Sequence, residues 1–440
     1  MAIDIDSLPF QNSLSSTSGA PAAWTLYRNA QRVGFLAILF LVTTSHYFDE
    51  NILSVLLDPI KQEFKLSDTQ LGLLSGPVFA LVYAIAGFPL ALWADRADRR
   101  LVITIAVAGW NVMTAVCGFA QSFWQLSLAR FGVGALEPGG IPLTQSLVAD
   151  YFPPERRAIA TTILFYGAAG VAWLLALGPG GAVAEMYGWR AVLLLAAIPG
   201  VLVAVLTRWL LPEPRYALGF PAVQGHSESV RQTLLALWGK RSFLFAVAAV
   251  VFCAIFGYGV TLFVPSFLIR SFHATLQQRS EILGSAIAIS YIGGALLGGS
   301  IADRLGRDIR WYARFPAITC LVILPLYVLA YRASTFWLFI GFQFVADLIQ
   351  SAGVAVVFVA ISMVCGNGRR AIATALTLST MMLLGASMGP LLVGALSDAL
   401  GTRNGLESLR GALTVMCVFW IPAAVLFYAA SRNMLRDQED

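Results

Sequence analysis

This sequence is short of charge. Only 12% of its 440 residues are Asp, Glu, Lys or Arg, where a soluble chain carries roughly 25%. With 58% hydrophobic residues and a mean hydropathy of +0.75, a water-soluble globule is excluded. Histidine is scarce too, with three residues, and so is cysteine, with five (Cys117, Cys253, Cys320, Cys365, Cys417). No two cysteines form a Cys-x-x-Cys pair, and all fall in or near apolar stretches, where a cysteine is a small packing residue. No His-Glu-x-x-His, Gly-x-Ser-x-Gly, phosphate-binding Gly-Lys-Ser/Thr or Cys/His metal spacing occurs, so neither an enzyme nor a bound cofactor or metal is expected. The net charge of +5 is no sign of nucleic acid, because the arginines are placed by the membrane.

What the chain does have is apolar stretches of ~20 residues, each long enough to cross a hydrocarbon core of ~30 Å. The reading is an all-α, multi-pass protein of the lipid bilayer with twelve helices, near 33–57, 69–93, 101–121, 123–149, 158–183, 189–211, 243–270, 281–302, 314–332, 335–364, 371–397 and 408–431. The organisation expected is a polar tail over 1–32, a six-helix bundle over 33–211, a linker over 212–242 with the breaker Pro212-Glu-Pro214, a second bundle over 243–431, and a tail over 432–440. The Ser-rich tail has no small-residue cleavage site, so the first helix is expected to stay in the membrane.

The two bundles repeat each other. Asp95 in Trp93-Ala-Asp95-Arg96-Ala-Asp-Arg99-Arg100 aligns with Asp303 in Ile301-Ala-Asp303-Arg304-Leu-Gly306-Arg307, an offset of 303 − 95 = 208. Arg156-Arg-Ala-Ile-Ala-Thr161 returns as Arg369-Arg-Ala-Ile-Ala-Thr374, an offset of 369 − 156 = 213. Gly178-Pro179 returns as Gly389-Pro390, an offset of 389 − 178 = 211. Three markers in one order at a near-constant offset mean two structural repeats of the same polarity.

Orientation follows from the basic residues. With the N-terminus placed inside, the inner segments hold twenty Lys and Arg and the outer segments eight; Arg130, within the membrane, completes the 29. That bias predicts both termini on the cytoplasmic side, in a bacterial inner membrane.

At this point the residues resemble a known family. The loop Gly299-Ser-Ile-Ala-Asp303-Arg304-Leu-Gly306-Arg307 resembles the signature of the major facilitator superfamily, and its first copy departs from it with Ala91 and Asp98 in the glycine places. The resemblance implies two six-helix bundles rocking around a central cavity. It implies further that Asp95, Arg96, Arg99, Arg100, Asp303, Arg304 and Arg307 form charge clusters that latch the cytoplasmic side. The N-terminal half is similar to the Spinster branch, on His46-Tyr-Phe-Asp49-Glu50-Asn-Ile-Leu-Ser54, Pro59-Ile-Lys-Gln62, Leu66-Ser-Asp-Thr-Gln-Leu-Gly-Leu-Leu-Ser-Gly76, Ala129-Arg130-Phe-Gly-Val-Gly134, Glu137 and Asp150-Tyr-Phe-Pro153. That branch usually reads Asp-Arg where this chain reads Asp49-Glu50.

Charges within the membrane are costly and mark function by default. Five stand out: Asp49 and Glu50 in the first helix, Arg130 and Glu137 in the fourth, and Asp347 in the tenth. Counting in from the helix ends puts Asp49 and Arg130 at compatible depths, so Arg130 can pair with Asp49 or Glu50. Adjacent residues project ~100° apart on a helix; the expectation is Asp49 toward the cavity and Glu50 toward a neighbouring helix. Arg130 and Glu137 share a face two turns apart, so Glu137 is expected to point into the cavity as the proton carrier, with Pro138, Gly139, Gly140 and Pro142 loosening the helix after it. His46 is a candidate relay partner, or a polar residue bonded to backbone. Asp347 is a pathway acid or one bonded to neighbouring hydroxyls. The C-terminal half offers Phe252, Phe256, Tyr258, Phe263, Phe267, Phe339, Phe342 and Phe344, which read mostly as packing, or else as a greasy wall facing a charged one. Gly293-Gly-Ala-Leu-Leu-Gly-Gly299 reads as close helix packing.

The function expected is secondary active transport, proton-coupled, of an amphipathic organic molecule by a monomer. The Spinster resemblance makes lysophospholipids or sphingoid lipids one class. Organic anions or aromatic acids are another, and a non-transporting sensor or scaffold on the same fold is a third. No nucleic-acid partner is expected.

Overall fold

The computed structural model describes residues 22–218, 230–305, 308–365, 369–404 and 408–437. Most of the N-terminal tail, part of the linker, Gly306, Arg307 and the last three residues lie outside these, as does the side chain of Asp303. Among the described residues, twelve long helical segments alternate in direction: α1 (Asn29–Phe64), α2 (Asp68–Arg96, bent at Gly76), α3 (Arg99–Gly118), α4 (123–151), α5 (Pro154–Tyr187) and α6 (Trp189–Leu210). The second half repeats them as α7 (Arg241–Phe272), α8 (278–305), α9 (Trp311–Arg332), α10 (Phe336–Val364), α11 (370–404) and α12 (Ser408–Asp437). Short helices at Arg215–Leu218 and Val230–Trp238 flank the linker's undescribed stretch. Both described chain ends lie on one face, called here the terminal side; the other is the far side.

Ten of the twelve are long and apolar enough by composition to cross a membrane. The two that fall short are α1 and α4, the helices that carry Asp49, Glu50, Arg130 and Glu137. Several helices outrun their apolar stretch. Helix α1 continues through Pro59 to Phe64 because Leu56, Leu57 and Ile60 are buried there, and burial outweighs the one backbone bond that proline removes. Helix α12 likewise runs to Asp437, six residues past the expected end.

Breaks fall where glycine and proline lie. In α4 the helix tightens to a 3₁₀ turn over Glu137–Gly139 and restarts at Ile141. The Gly-Pro repeats mark wide turns: Ala176–Gly180 in α5 holds Pro179, and Met381–Ala386 in α11 ends four residues before Pro390. Helix α8 packs on α10 through the glycines read as packing residues: a Cβ on Gly294 or Gly298 would lie 2.4 Å from the Leu348 carbonyl oxygen or 2.5 Å from that of Ala352.

The halves meet most closely at the far side, between α2 and α11. A Cβ on Gly72 would sit 2.3 Å from the Pro390 carbonyl oxygen, and one on Gly394 2.2 Å from that of Asp68. Only glycine lets the two backbones touch there. Beneath this seal lies one cavity of about 360 Å³ between the halves, within the size range of small-molecule sites. It extends toward the terminal side as far as Pro316, Phe358 and Phe427.

Candidate functional site

The buried stripe of α1 runs Leu39, Val42, His46, Asp49, Leu53, Leu56, Ile60, the three-and-four spacing of one helix face. Two of these seven are polar, and the stripe carries both into the N-terminal half rather than into the cavity. Asp49, 2% exposed, accepts from the Thr114 hydroxyl of α3 and from Arg130 Nη1 of α4 at 3.0 Å. Arg130, 4% exposed, also lies over the Phe79 ring, 5.1 Å from its centroid. The guanidinium thus has a carboxylate and an aromatic face as partners, as a buried charge requires.

About a turn toward the terminal side, His46 Nδ1 stands 3.1 Å from Glu137 Oε1. Glu137 is fully buried, and among the described residues neither of its carboxyl oxygens receives a well-aligned hydrogen bond. Trp110 and Tyr83 close around His46, their ring centroids 6.2 and 6.5 Å from the imidazole. Glu137 therefore does not point into the cavity. The 3₁₀ turn at its own position tucks it behind α1, away from the cavity lining.

The expected roles of Asp49 and Glu50 are likewise exchanged. Glu50, ~100° round the helix from Asp49, is half-buried and lines the cavity, while Asp49 stands behind it. Sequence alone could not choose between them, because the stripe that faces α3 and α4 is fixed by helix packing. Arg130 reaches the cavity rim from behind.

The C-terminal wall is more polar than its phenylalanines imply. Asp347 lines the cavity and accepts from the Tyr327 hydroxyl at 2.7 Å and from Gln343 Nε2 at 3.0 and 3.1 Å. Tyr327 also bonds Gln350. Phe256 and Tyr258 line the cavity, whereas Phe263, Phe267 and Phe339 are fully buried in the bundle. Tyr47, Tyr166 and Trp173 face it from the N-terminal half and Tyr291 and Tyr327 from the other. Both walls are aromatic, and each carries an acid.

The signature loop ties inward within its own half. Arg99 is 2% exposed and bonds Asp150 and Glu213, each at 2.6 Å, with Ser146 Oγ at 2.8 Å. Arg100 pairs with Asp98 at 2.9 Å. Burial pushes the Asp98 carboxyl up, but hydrogen bonds from Arg100, the Leu101 N–H and Tyr216 outweigh it and hold the group below the usual carboxylate range. Asp95, Arg96 and Arg304 are exposed. In this conformation Arg99 and Arg100 staple α3 to α4 and the start of the linker rather than joining the two halves.

The charges that do join the halves lie at the far side, and the sequence reading did not single them out. Arg270 of α7 reaches Asp58 at 2.6 Å and Asp68 at 2.9 Å, and Lys61 reaches Asp68 at 2.6 Å. Asp398 of α11 caps α2, accepting from the N–H groups of Asp68 at 3.0 Å and Thr69 at 2.8 Å. Arg279 meets Glu185 at 2.7 Å. The signal available was a set of opposite charges at the far ends of α1, α2, α7 and α11, but their partners lie over two hundred positions away in sequence.

Two six-helix bundles of the same polarity around a charge-lined central cavity define a multi-pass membrane transporter. The family model of the Major Facilitator Superfamily matches residues 39–324, and the chain belongs to that superfamily. It is 33% identical to an MFS-type efflux pump of Mycolicibacterium smegmatis over 91% of this chain and 93% of that one. It is 30% identical to the cis,cis-muconate transport protein of Acinetobacter baylyi over 69% and 75%. Among solved structures, it is similar to a bacterial homolog of the human lysosomal transporter Spinster in an inward-facing, unoccupied conformation: TM-score 0.82, 26% identity, 94% of this chain and all of that one. Within the superfamily the chain is Spinster-like.

Proposed function

We propose that this chain is a proton-coupled secondary transporter that moves an amphipathic organic molecule by alternating access. The observation that carries the reading is a buried charge system set directly behind a substrate-sized cavity. Asp49 and Arg130 are paired at 3.0 Å, and His46 and Glu137 approach at 3.1 Å, all in the half that also presents Glu50 to the cavity. A proton arriving at Asp49 releases Arg130, and a proton held at Glu137 removes a charge that burial makes expensive. Either event changes how the N-terminal half packs against the other, which is what coupling needs.

The terminal side, rich in arginine, is taken as cytoplasmic. The far-side seal then makes this conformation inward-facing, with Asp95, Arg96 and Arg304 exposed and available to latch the opposite half when the cytoplasmic side closes. The aromatic walls suit the apolar part of a lysolipid or sphingoid lipid, and the efflux pump among the relatives favours export. The muconate relative supports a second reading, uptake of organic anions.

Reconstitution in proteoliposomes tests the two. An imposed pH gradient should drive movement of radiolabelled sphingosine or lysophosphatidylcholine, and Asp49→Asn and Glu137→Gln should abolish it. Gradient-driven movement of cis,cis-muconate instead, with none of either lipid, would establish the second reading.

A further inference from the structure

Among the described residues lining the cavity, Arg130 is the sole Lys or Arg, and its charge is already matched by Asp49 at 3.0 Å. The acids are not matched in this way. Glu50 lines the N-terminal wall with no hydrogen bond and no ion pair within 4.0 Å among the described residues, and the one cation within its electrostatic reach, Arg130, is held by Asp49. Asp347 lines the opposite wall, held by two neutral donors, Tyr327 and Gln343. Tyr291 on α8 lies within electrostatic reach of both acids. The cavity thus offers two carboxyl groups on facing walls, joined by aromatic rings, with no counter-cation of its own to spare.

We infer that Glu50 and Asp347 set the charge sign of the substrate, and that the transported molecule is an amphipathic organic cation. This rests on the transport reading above and specifies its substrate class. An ammonium or other organic cation between the two walls supplies the partner that Glu50 lacks. Ring faces such as those of Tyr47, Tyr258 and Tyr291 then add cation–π attraction in a site largely shielded from water. An organic anion meets the reverse: two acids of its own sign and a guanidinium that must first give up Asp49. Of the two lipid classes considered, a sphingoid base with a free amine fits better than a lysophospholipid, whose phosphate meets two acids of its own sign.

The test compares two ions of the same shape and opposite charge, tetraphenylphosphonium and tetraphenylborate, binding to the full-length protein in nanodiscs. The wild-type protein should bind the phosphonium at least about tenfold more tightly than the borate, a modest demand for two carboxyls within one cavity. Glu50→Gln and Asp347→Asn should each reduce that preference, and the double variant should lose it. Both substitutions are near-isosteric. Among the described residues Glu50 makes no hydrogen bond, and asparagine keeps the acceptor that Tyr327 and Gln343 use, so the variants should fold; unchanged melting temperatures check this. Equal or tighter binding of the borate, saturable binding of neither ion, or a preference that survives in the double variant would each overturn the inference. The same samples in proteoliposomes separate it from the transport reading. Cation-selective binding without movement under a pH gradient defeats transport and leaves the charge preference standing; gradient-driven movement of the borate in preference does the opposite.

Discussion

Asp49 and Arg130, on helices α1 and α4, form an ion pair at 3.0 Å with each side chain at most 5% exposed. Removing one partner of such a pair leaves an uncompensated charge, at a cost of about 3–5 kcal/mol. Arg130→Gln should therefore lower the melting temperature markedly. The double variant Asp49→Asn/Arg130→Gln should recover much of that loss while still failing to couple flux to a pH gradient. Calorimetry and flux on wild type, Asp49→Asn, Arg130→Gln and the double variant complete the cycle; full recovery of coupling in the double variant would remove this pair from the mechanism.

Glu137 is buried with His46 Nδ1 3.1 Å from it, and among the described residues no aligned hydrogen bond reaches its carboxyl group. Glu137→Gln should fold normally, since it replaces a buried acid by a neutral group of the same shape. It should abolish net flux driven by a pH gradient while substrate exchange at equal pH continues. Measuring both on one preparation decides whether Glu137 carries protons or merely supports the helix.

The far-side seal should control which side is open. Arg270→Ala leaves Asp58 and Asp68 without their shared guanidinium and should shift the protein toward the conformation open at that side. Cys253 lines the cavity and serves as the reporter. Its labelling by a membrane-impermeant thiol reagent from the far side should rise at least about tenfold, the effect of a shift of roughly 1.4 kcal/mol. No rise in far-side labelling would mean that Arg270 does not hold the seal.

Gly72→Ala should act at the same place by sterics alone. Its Cβ would fall 2.3 Å from a backbone oxygen that cannot move aside without α11. Far-side labelling of Cys253 should increase here too, with transport lost and no change in binding-site charge. Wild-type transport in this variant would show that the backbones part easily.

Asp98 caps α3 and bonds Arg100 and Tyr216. Asp98→Ala should cost about 1 kcal/mol at neutral pH. Because the folded carboxyl lies below its usual range, its contribution is present above the unfolded value and is lost as pH falls through the folded one. The difference in melting temperature between variant and wild type should narrow below about pH 4.

Composition, spacing and repetition determined the membrane class, the twelve helices, the two equivalent halves and the short roll of charges worth attention. These are legible in sequence because each depends on a local quantity: an apolar run as long as the bilayer is thick, a glycine-proline break, or a motif repeated at a fixed offset. The 3₁₀ turn after Arg130 belongs with them, since Pro138 and its glycines force it wherever the helix lies. Which side of α1 faces the cavity was decided by packing. Asp49 and Glu50 differ only in azimuth, and that angle is set by how α1 seats against α5, α6 and α7. The same holds for Glu137, drawn behind the cavity by its turn, and for Arg99, whose partners Asp150 and Glu213 sit 51 and 114 residues away. The far-side seal is the extreme case. Arg270 and Asp58 lie 212 residues apart, and nothing in either neighbourhood names the other until two bundles close over a shared cavity.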